Sequence, residues 1–206
     1  MPAAQCDHIV NITEQVCRGQ YAAYTYAKQT LGCREYPMLA QASFLPVHTV
    51  VHTITHKLAH SARNLQLDDR EPHVVKYDVT KKERQKLDMH TDKSEWTFLI
   101  ALSNGCGVDY EGGGTYFECL DATVHIQRGH ALIFPGKLRH CGQKISSGLR
   151  FLLVGFLVDK TPSVAAAVAA AAAAAAGLTP SAATTTTTKS TVVNTTPQAS
   201  TTSSRA

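Results

Sequence analysis

The chain has 206 residues, 44% of them apolar, with a formal net charge of +4. That length suggests one domain large enough to bury a core. The positive residues are scattered apart from "KKERQK" at 81–86, which Glu83 interrupts, so a solvated turn is expected there and not a nucleic-acid patch.

The N-terminus, "MPAAQCDHIVNITEQVCRG", lacks a basic segment followed by an apolar one. No secretory signal is read, and a cytoplasmic location is the expectation. The triplets Asn11-Ile-Thr and Asn194-Thr-Thr match the glycosylation pattern but carry little weight without such a signal. The six cysteines (Cys6, Cys17, Cys33, Cys106, Cys119 and Cys141) form no CxxC pair, so reduced thiols are the default.

The first 72 residues read as helical support. Asn11 followed by Glu14 resembles a capping box, and Gly32 is expected to end that helix. A second helix is expected over 46–64, where Val47, Val51, Ile54, Leu58, Ala62 and Leu65 share one stripe. His48, His52, His56 and His60 recur every fourth residue on the same segment. At about 100° per residue they fall on its flank and solvent face, so a wet polar face is expected in preference to a surface metal site.

After Pro72 the period changes. "HVVKYDV", "WTFLIALS", "GTYFECL", "ATVHIQ", "HALIFPG", "RHCGQ" and "LRFLLVGFLV" are short, β-branched and aromatic-rich segments separated by turn residues. Many short strands at close spacing predict a sandwich or barrel. The fold class expected is α+β and mainly β: N-terminal helices, then a double-stranded β-helix, or jelly roll, over 73–160. From 161 onward alanine, threonine and serine dominate, and Lys189 and Arg205 are the only charges after Ser163. Residues 164–176 are expected to be transiently helical and the remainder disordered. The alanine run is too short and too weakly apolar to span a bilayer, so no membrane partner is expected.

His90 and Asp92 stand one residue apart at the mouth of the "WTFLIALS" segment. On extended chain both side chains face one way, where a single cation could touch both. His140 enters a later strand, and Arg150 follows ten residues on. The intervening "QKISSG" reads as a turn, so a hairpin is expected to set Arg150 opposite His140. Arg150 alternates with Leu152, Val154 and Phe156, so its face is otherwise apolar and its charge needs an anion. That anion is either an internal carboxylate or a ligand held bidentately. Two imidazoles and one carboxylate on one face of a metal form the facial triad of non-haem Fe(II) oxygenases, whose open positions can take a 2-oxo acid and O₂.

With HxD, a second His and a basic residue ten further on, the sequence resembles the 2-oxoglutarate/Fe(II) dioxygenases of the prolyl 4-hydroxylase and procollagen-lysyl hydroxylase type. "IALSNGCGVDYEGGGTYF" is similar to the lysyl hydroxylase strand, loop and triple-glycine turn, and "GHALIFPGKLRHCGQ" to the segment with the second histidine. The resemblance spans about 74–159. It implies His90, Asp92 and His140 as iron ligands, Arg150 on the distal 2-oxoglutarate carboxylate, and Tyr77 beside the same cosubstrate. It also implies O₂ as cosubstrate and ascorbate as reductant. The implied reaction hydroxylates a C–H bond of a peptidyl lysine or proline, or of a small molecule, releasing succinate and CO₂. Gly112, Gly113 and Gly114 are expected to make a positive-φ turn. The extra domains of lysyl hydroxylases are missing from this sequence, so collagen is not implied. The second arginine of the nucleic-acid demethylases is also missing, which argues against that branch. A cupin-like metal enzyme without 2-oxo acid, or a non-catalytic ligand-binding relative, are the alternatives; oligomeric state is not readable.

Overall fold

The computed structural model describes residues 1–18, 30–58, 64–105 and 107–175. In chain order its elements are α1 (Ala3–Cys17), β1 (Thr30–Gly32), α2 (Pro37–Lys57), β2 (Leu65–Leu67), β3 (His73–Asp78), β4 (Leu87–His90) and β5 (Trp96–Ala101). Then come β6 (Tyr110–Gly112), β7 (Thr115–Phe117), β8 (Ala122–Val124), β9 (Ala131–Pro135), β10 (His140–Gly142), β11 (Ile145–Asp159) and α3 (Val164–Ala175). The strands form two antiparallel sheets. The larger runs β1-β3-β11-β5-β9, with β2 and β6 also paired to β11; the smaller runs β4-β10-β7-β8. This is the α+β, mainly β, double-stranded β-helix that the strand pattern predicts.

The fifteen residues of β11 explain the layering. Side chains alternate along a strand, so one strand can serve two cores. Phe151, Leu153 and Leu157 pack with α1, α2, Val74, Phe98 and Ile100 on one face. Leu152 and Val154 face the other sheet, with Val75, Leu99, Phe117 and Phe134. A strand buried on both faces reads as a continuous apolar run, as "LRFLLVGFLV" does. Gly155 stands beside Phe98 in the ladder, and a β-carbon there would meet the Phe98 ring at 2.3 Å. The ring therefore lies over bare backbone.

Several local expectations fail for identifiable reasons. The first helix begins at Ala3 and ends at Cys17, so Asn11 and Glu14 are interior to it and Gly32 belongs to β1. Glu14 is not a cap; its carboxylate takes the Lys76 ammonium at 2.8 Å. The second helix starts nine residues early because Pro37, not Pro46, occupies its first turn. Proline suits that position, having no N–H to leave unpaired. Pro46 lies inside the helix, buried, and the helix stops at Lys57. The expected continuation through His60 and Ala62 lies outside the described residues, and Leu65 belongs to β2. β1 and β2, within the stretch read as helical, are each three residues long, too short to show a period. "GTYFECL" is a strand only to Phe117 and then a 3-10 turn, Glu118–Leu120. His48, His52 and His56 are exposed and stack along the solvent face, as expected.

Residues Pro162–Ala206 form a unit separate from Met1–Thr161. Within it, the Ser163 hydroxyl accepts the Ala166 N–H at 3.1 Å and caps α3. The disorder expected further along the tail lies outside the described residues. Among those residues no helix is long and apolar enough to cross a membrane. Cys6, Cys17, Cys33, Cys119 and Cys141 are free thiols, and Cys106 lies outside the described residues.

Phe98 is fully buried where β11, β5 and the helices meet. Phe98→Ala is expected to cost about 3–5 kcal/mol. Urea unfolding followed by circular dichroism should show this as a lower midpoint with little change in slope.

Candidate metal centre

His90 is the last residue of β4, and Asp92 lies two residues beyond it. The Asp92 N–H donates to the Gly136 carbonyl at 2.8 Å, which fixes the backbone where the strand ends. His140 opens β10 and pairs directly with His90 across the ladder. A ladder neighbour is about 5 Å away, so the two rings meet: their centroids are 4.4 Å apart. One ligand atom from each of His90, Asp92 and His140 lies within 4.8 Å of the others. Among the described residues this is the one group of three or more such side chains that could hold a metal ion.

Each imidazole is oriented from behind. His90 Nδ1 donates to the Asp88 carbonyl at 2.7 Å, and His140 Nδ1 donates to the Leu138 carbonyl at 2.8 Å. With the proton on Nδ1, the Nε2 lone pair is left for a cation; the tautomers follow from these partners. Both Nε2 atoms face Asp92, at 3.5 Å for His90 and 3.6 Å for His140. The Phe134 ring meets His140 edge-on at 4.7 Å, and Phe117 flanks it.

Asp92 is nearly buried and is held by a hydroxyl relay. Thr97 Oγ1 donates to Asp92 Oδ2 at 2.6 Å. Its single proton is used there, so Ser94 must donate to Thr97, 2.8 Å away. Burial works against the Asp92 charge, but the neighbouring His90, the Thr97 hydrogen bond and the His140 imidazole hold its pKa below the usual carboxylate value. Burial opposes the His90 imidazolium too, yet the Asp92 carboxylate and Asp88 carbonyl outweigh it and raise the His90 pKa. His140 goes the other way: burial is its largest influence and lowers its pKa. The site therefore carries an ionised carboxylate between two imidazoles of unlike basicity, a donor set suited to a divalent metal.

Arg150 lies deeper, in β11, and is 2% exposed. It does not pair with His140 as the hairpin reading expects. "QKISSG" is a turn only at its start, since Ile145 already begins β11. That strand enters the other sheet, so Arg150 pairs with Tyr77 of β3 while His140 pairs with His90 and Phe117. Local turn chemistry cannot show that a chain changes sheets between two strands. Arg150 and His140 thus belong to the two facing sheets, with a cavity between those sheets.

No carboxylate among the described residues pairs with Arg150. Its Nη1 donates to the Gly114 carbonyl at 3.0 Å and its Nη2 reaches Thr115 Oγ1 at 3.4 Å, while the buried Nε has no hydrogen-bond partner. The guanidinium lies over the Tyr77 ring at 5.0 Å and near Tyr110 at 5.9 Å. The Gly114 carbonyl reaches it because Gly112, Gly113 and Gly114 all have positive φ. A β-carbon on Gly114 would also strike Thr123, at 2.4 Å. Burial pushes the Tyr77 phenol up, so it remains a neutral donor. A buried guanidinium with spare donors and no counter-charge is a ready seat for an anion.

The cavity joins both halves. Its walls include His90, Asp92, His140, Tyr77 and Thr115, with Val75, Leu87, Leu99, Leu152 and Val154 supplying apolar surface. The sequence reading missed Thr97 and Thr115. Thr97 left one signal: it is polar on the inward face of β5, in step with Leu99 and Ala101.

No protein-family model matches the chain. The double-stranded β-helix is a fold shared with solved structures of 2-oxoglutarate-dependent enzymes. Two of the matches with TM-scores above 0.5 illustrate it. Viral collagen prolyl hydroxylase from Paramecium bursaria Chlorella virus-1, solved as a 2OG complex, superposes with a TM-score of 0.54 at 15% identity over 78% of this chain and 92% of that one. The non-heme alpha-ketoglutarate-dependent epimerase SnoN from nogalamycin biosynthesis gives 0.58 at 11% identity over 78% and 75%. At such identities the likeness is one of fold. In sequence, the multifunctional procollagen lysine hydroxylase and glycosyltransferase LH3 of Rattus norvegicus is 42% identical over 78 residues, 36% of this chain. The match spans about a tenth of that relative's length. In fold and in this segment, the chain resembles the dioxygenases of the prolyl 4-hydroxylase and procollagen-lysyl hydroxylase type.

Removing the Thr97 hydroxyl tests the relay. Thr97→Val is expected to weaken divalent-metal affinity roughly 10- to 100-fold without unfolding the chain. Titration with Co(II), followed by its visible absorption, measures this.

Proposed function

We propose that the chain is an Fe(II)- and 2-oxoglutarate-dependent dioxygenase that hydroxylates a C–H bond and releases succinate and CO₂. One observation carries the reading. A two-histidine, one-carboxylate cluster lines a cavity whose wall also holds Tyr77 and Thr115, and directly against these two lies a buried arginine with no carboxylate partner among the described residues. A metal alone explains the cluster but gives Arg150 no role. A dicarboxylate bound between them uses both.

In this reading His90, Asp92 and His140 hold the iron through Nε2, a carboxylate oxygen and Nε2. Bound there with 2-oxoglutarate and O₂, iron supplies the oxidative decarboxylation of the oxo acid and the hydroxylation of the substrate. The Asp88 and Leu138 carbonyls keep each imidazole in the ligating tautomer. Thr97 keeps Asp92 turned toward them. Arg150 takes the distal carboxylate of 2-oxoglutarate, with Tyr77 as a hydroxyl donor beside it. Val75, Leu99, Leu152 and Val154 exclude water between the two charged ends, which strengthens both interactions. Ascorbate serves as reductant for iron oxidised in unproductive turnovers.

The prime substrate proposed is a peptide, with lysine or proline as the modified residue, or a related small molecule. Its support is the similarity to a procollagen lysine hydroxylase in sequence and to a collagen prolyl hydroxylase in fold.

Under anaerobic conditions, Fe(II) and 2-oxoglutarate together should give the wild-type chain a weak visible charge-transfer band. His90→Ala and Asp92→Ala should each abolish it; a band that persists in both would overturn the ligand assignment. Leaving the dicarboxylate without its buried partner is expected to cost about 2–5 kcal/mol. Arg150→Ala should therefore weaken 2-oxoglutarate binding at least about 30-fold. Unchanged binding in that variant would favour a metal enzyme that uses no 2-oxo acid.

A further inference from the structure

β10 is three residues long, and two of them line the cavity: His140, one of the metal cluster, and Gly142. Side chains alternate along a strand, so positions 140 and 142 share its inward face. In the ladder Gly142 pairs with Thr115 of β7, whose Oγ1 lies 3.4 Å from Arg150 Nη2. This short strand therefore borders both the metal cluster and the surroundings of the buried guanidinium.

Gly142 has no room for a side chain. A β-carbon built on it would stand 2.1 Å from the Tyr77 hydroxyl oxygen, 2.8 Å from Cζ and 3.0 Å from Cε1, and these are its three nearest atoms. Attractive carbon contacts need about 3.5–4.0 Å, so all three distances are repulsive. Gly112, Gly113 and Gly114 have positive φ, but Gly142 does not. What excludes a side chain at 142 is the phenol and not the turn of the backbone.

The phenol is poorly placed to give way. Tyr77 stands on β3 of the larger sheet, and its tip meets β10 of the smaller one, so the ring bridges the two layers. It is 3% exposed, and the Arg150 guanidinium lies over its face at 5.0 Å. A ring that swung aside would lose that contact and leave the guanidinium less well held. The phenol stays protonated and offers a single proton, so the direction in which it donates depends on where its oxygen is held.

We propose that Gly142 is a positioning residue for the dicarboxylate: by carrying no side chain it seats the Tyr77 phenol between the two sheets, and so sets where the hydroxyl meets the carboxylate bound at Arg150. This rests on the dioxygenase reading above and adds the residue through which β10 governs cosubstrate binding as well as metal binding. Gly142 acts through Tyr77.

The test is a double-mutant cycle. 2-Oxoglutarate is titrated into the Fe(II)-loaded chain without oxygen and followed by the visible band, while Co(II) titration reads the metal centre separately. Gly142→Ala should bind 2-oxoglutarate at least about tenfold more weakly, in line with one misplaced charge-assisted hydrogen bond, with Co(II) affinity as in the wild type. Tyr77→Leu removes both the hydroxyl and the ring that the β-carbon would strike, and should lose a similar factor. Adding Gly142→Ala to Tyr77→Leu should then cost nothing further, whereas two independent effects would multiply to about a hundredfold. Unchanged binding in Gly142→Ala, or a multiplied loss in the double variant, overturns the proposal. Should Gly142→Ala lose Co(II) as well, adding Tyr77→Leu must restore it, and failure to do so also overturns the proposal. A wild type that gives no band strikes the dioxygenase reading and this proposal together. A wild-type band that titrates unchanged in Gly142→Ala strikes the proposal alone.

Discussion

A guanidinium buried between two sheets is the constraint around which the rest of this structure is arranged. Arg150 sits on the inward face of a strand whose other residues on that face are apolar. It is held by a backbone carbonyl, a threonine hydroxyl and two aromatic rings, none of which neutralises it. Placing it there requires β11 to be long enough to reach the cavity. It also requires three successive glycines to bring the Gly114 carbonyl within reach, and helices to cover the strand's opposite face. A positive charge so placed, with no carboxylate partner among the described residues, is a ready seat for an anion.

The two ends of the cavity are built differently. At the arginine end the donors come from regular strands, and aromatic packing holds the charge in place. At the other end the candidate metal ligands sit where strands begin or stop: His90 closes β4, Asp92 follows it and His140 opens β10. Ends of strands free their side chains from the ladder's strict alternation, so three ligands can converge. The cost is looser geometry, which carbonyls behind the imidazoles and the Ser94–Thr97 relay offset. The same supports leave the cluster lining the cavity.

Much of this was legible in the sequence, though not always for the right reason. The β-branched, aromatic-rich run "LRFLLVGFLV" revealed a strand, and the HxD spacing placed two candidate ligands on one side of the chain. The ten-residue step from His140 to Arg150 reads as a hairpin that sets the two opposite each other, and the ladders pair them otherwise. They lie in different sheets because the chain changes sheets between β10 and β11, which no local pattern records. Asn11 and Glu14 matched a cap by spacing, while tertiary contact decided otherwise: Glu14 meets Lys76, 62 residues away. Thr97 and Thr115 escaped notice because their work shows only when Asp92 and Arg150 stand beside them in the folded chain. A threonine or histidine in an apolar strand looks like an imperfection until the residue opposite it is known.

The central claim is that two imidazoles and one carboxylate share one iron atom. X-ray absorption at the iron edge, on the chain loaded with one equivalent of Fe(II) without oxygen, tests it most directly. The account predicts a nitrogen and oxygen shell with outer-shell scattering from two imidazoles, falling to one in His140→Ala. A spectrum with no imidazole, or one unaffected by that substitution, would mean that the iron sits elsewhere, for instance on the exposed His48–His52–His56 ladder, and would contradict it.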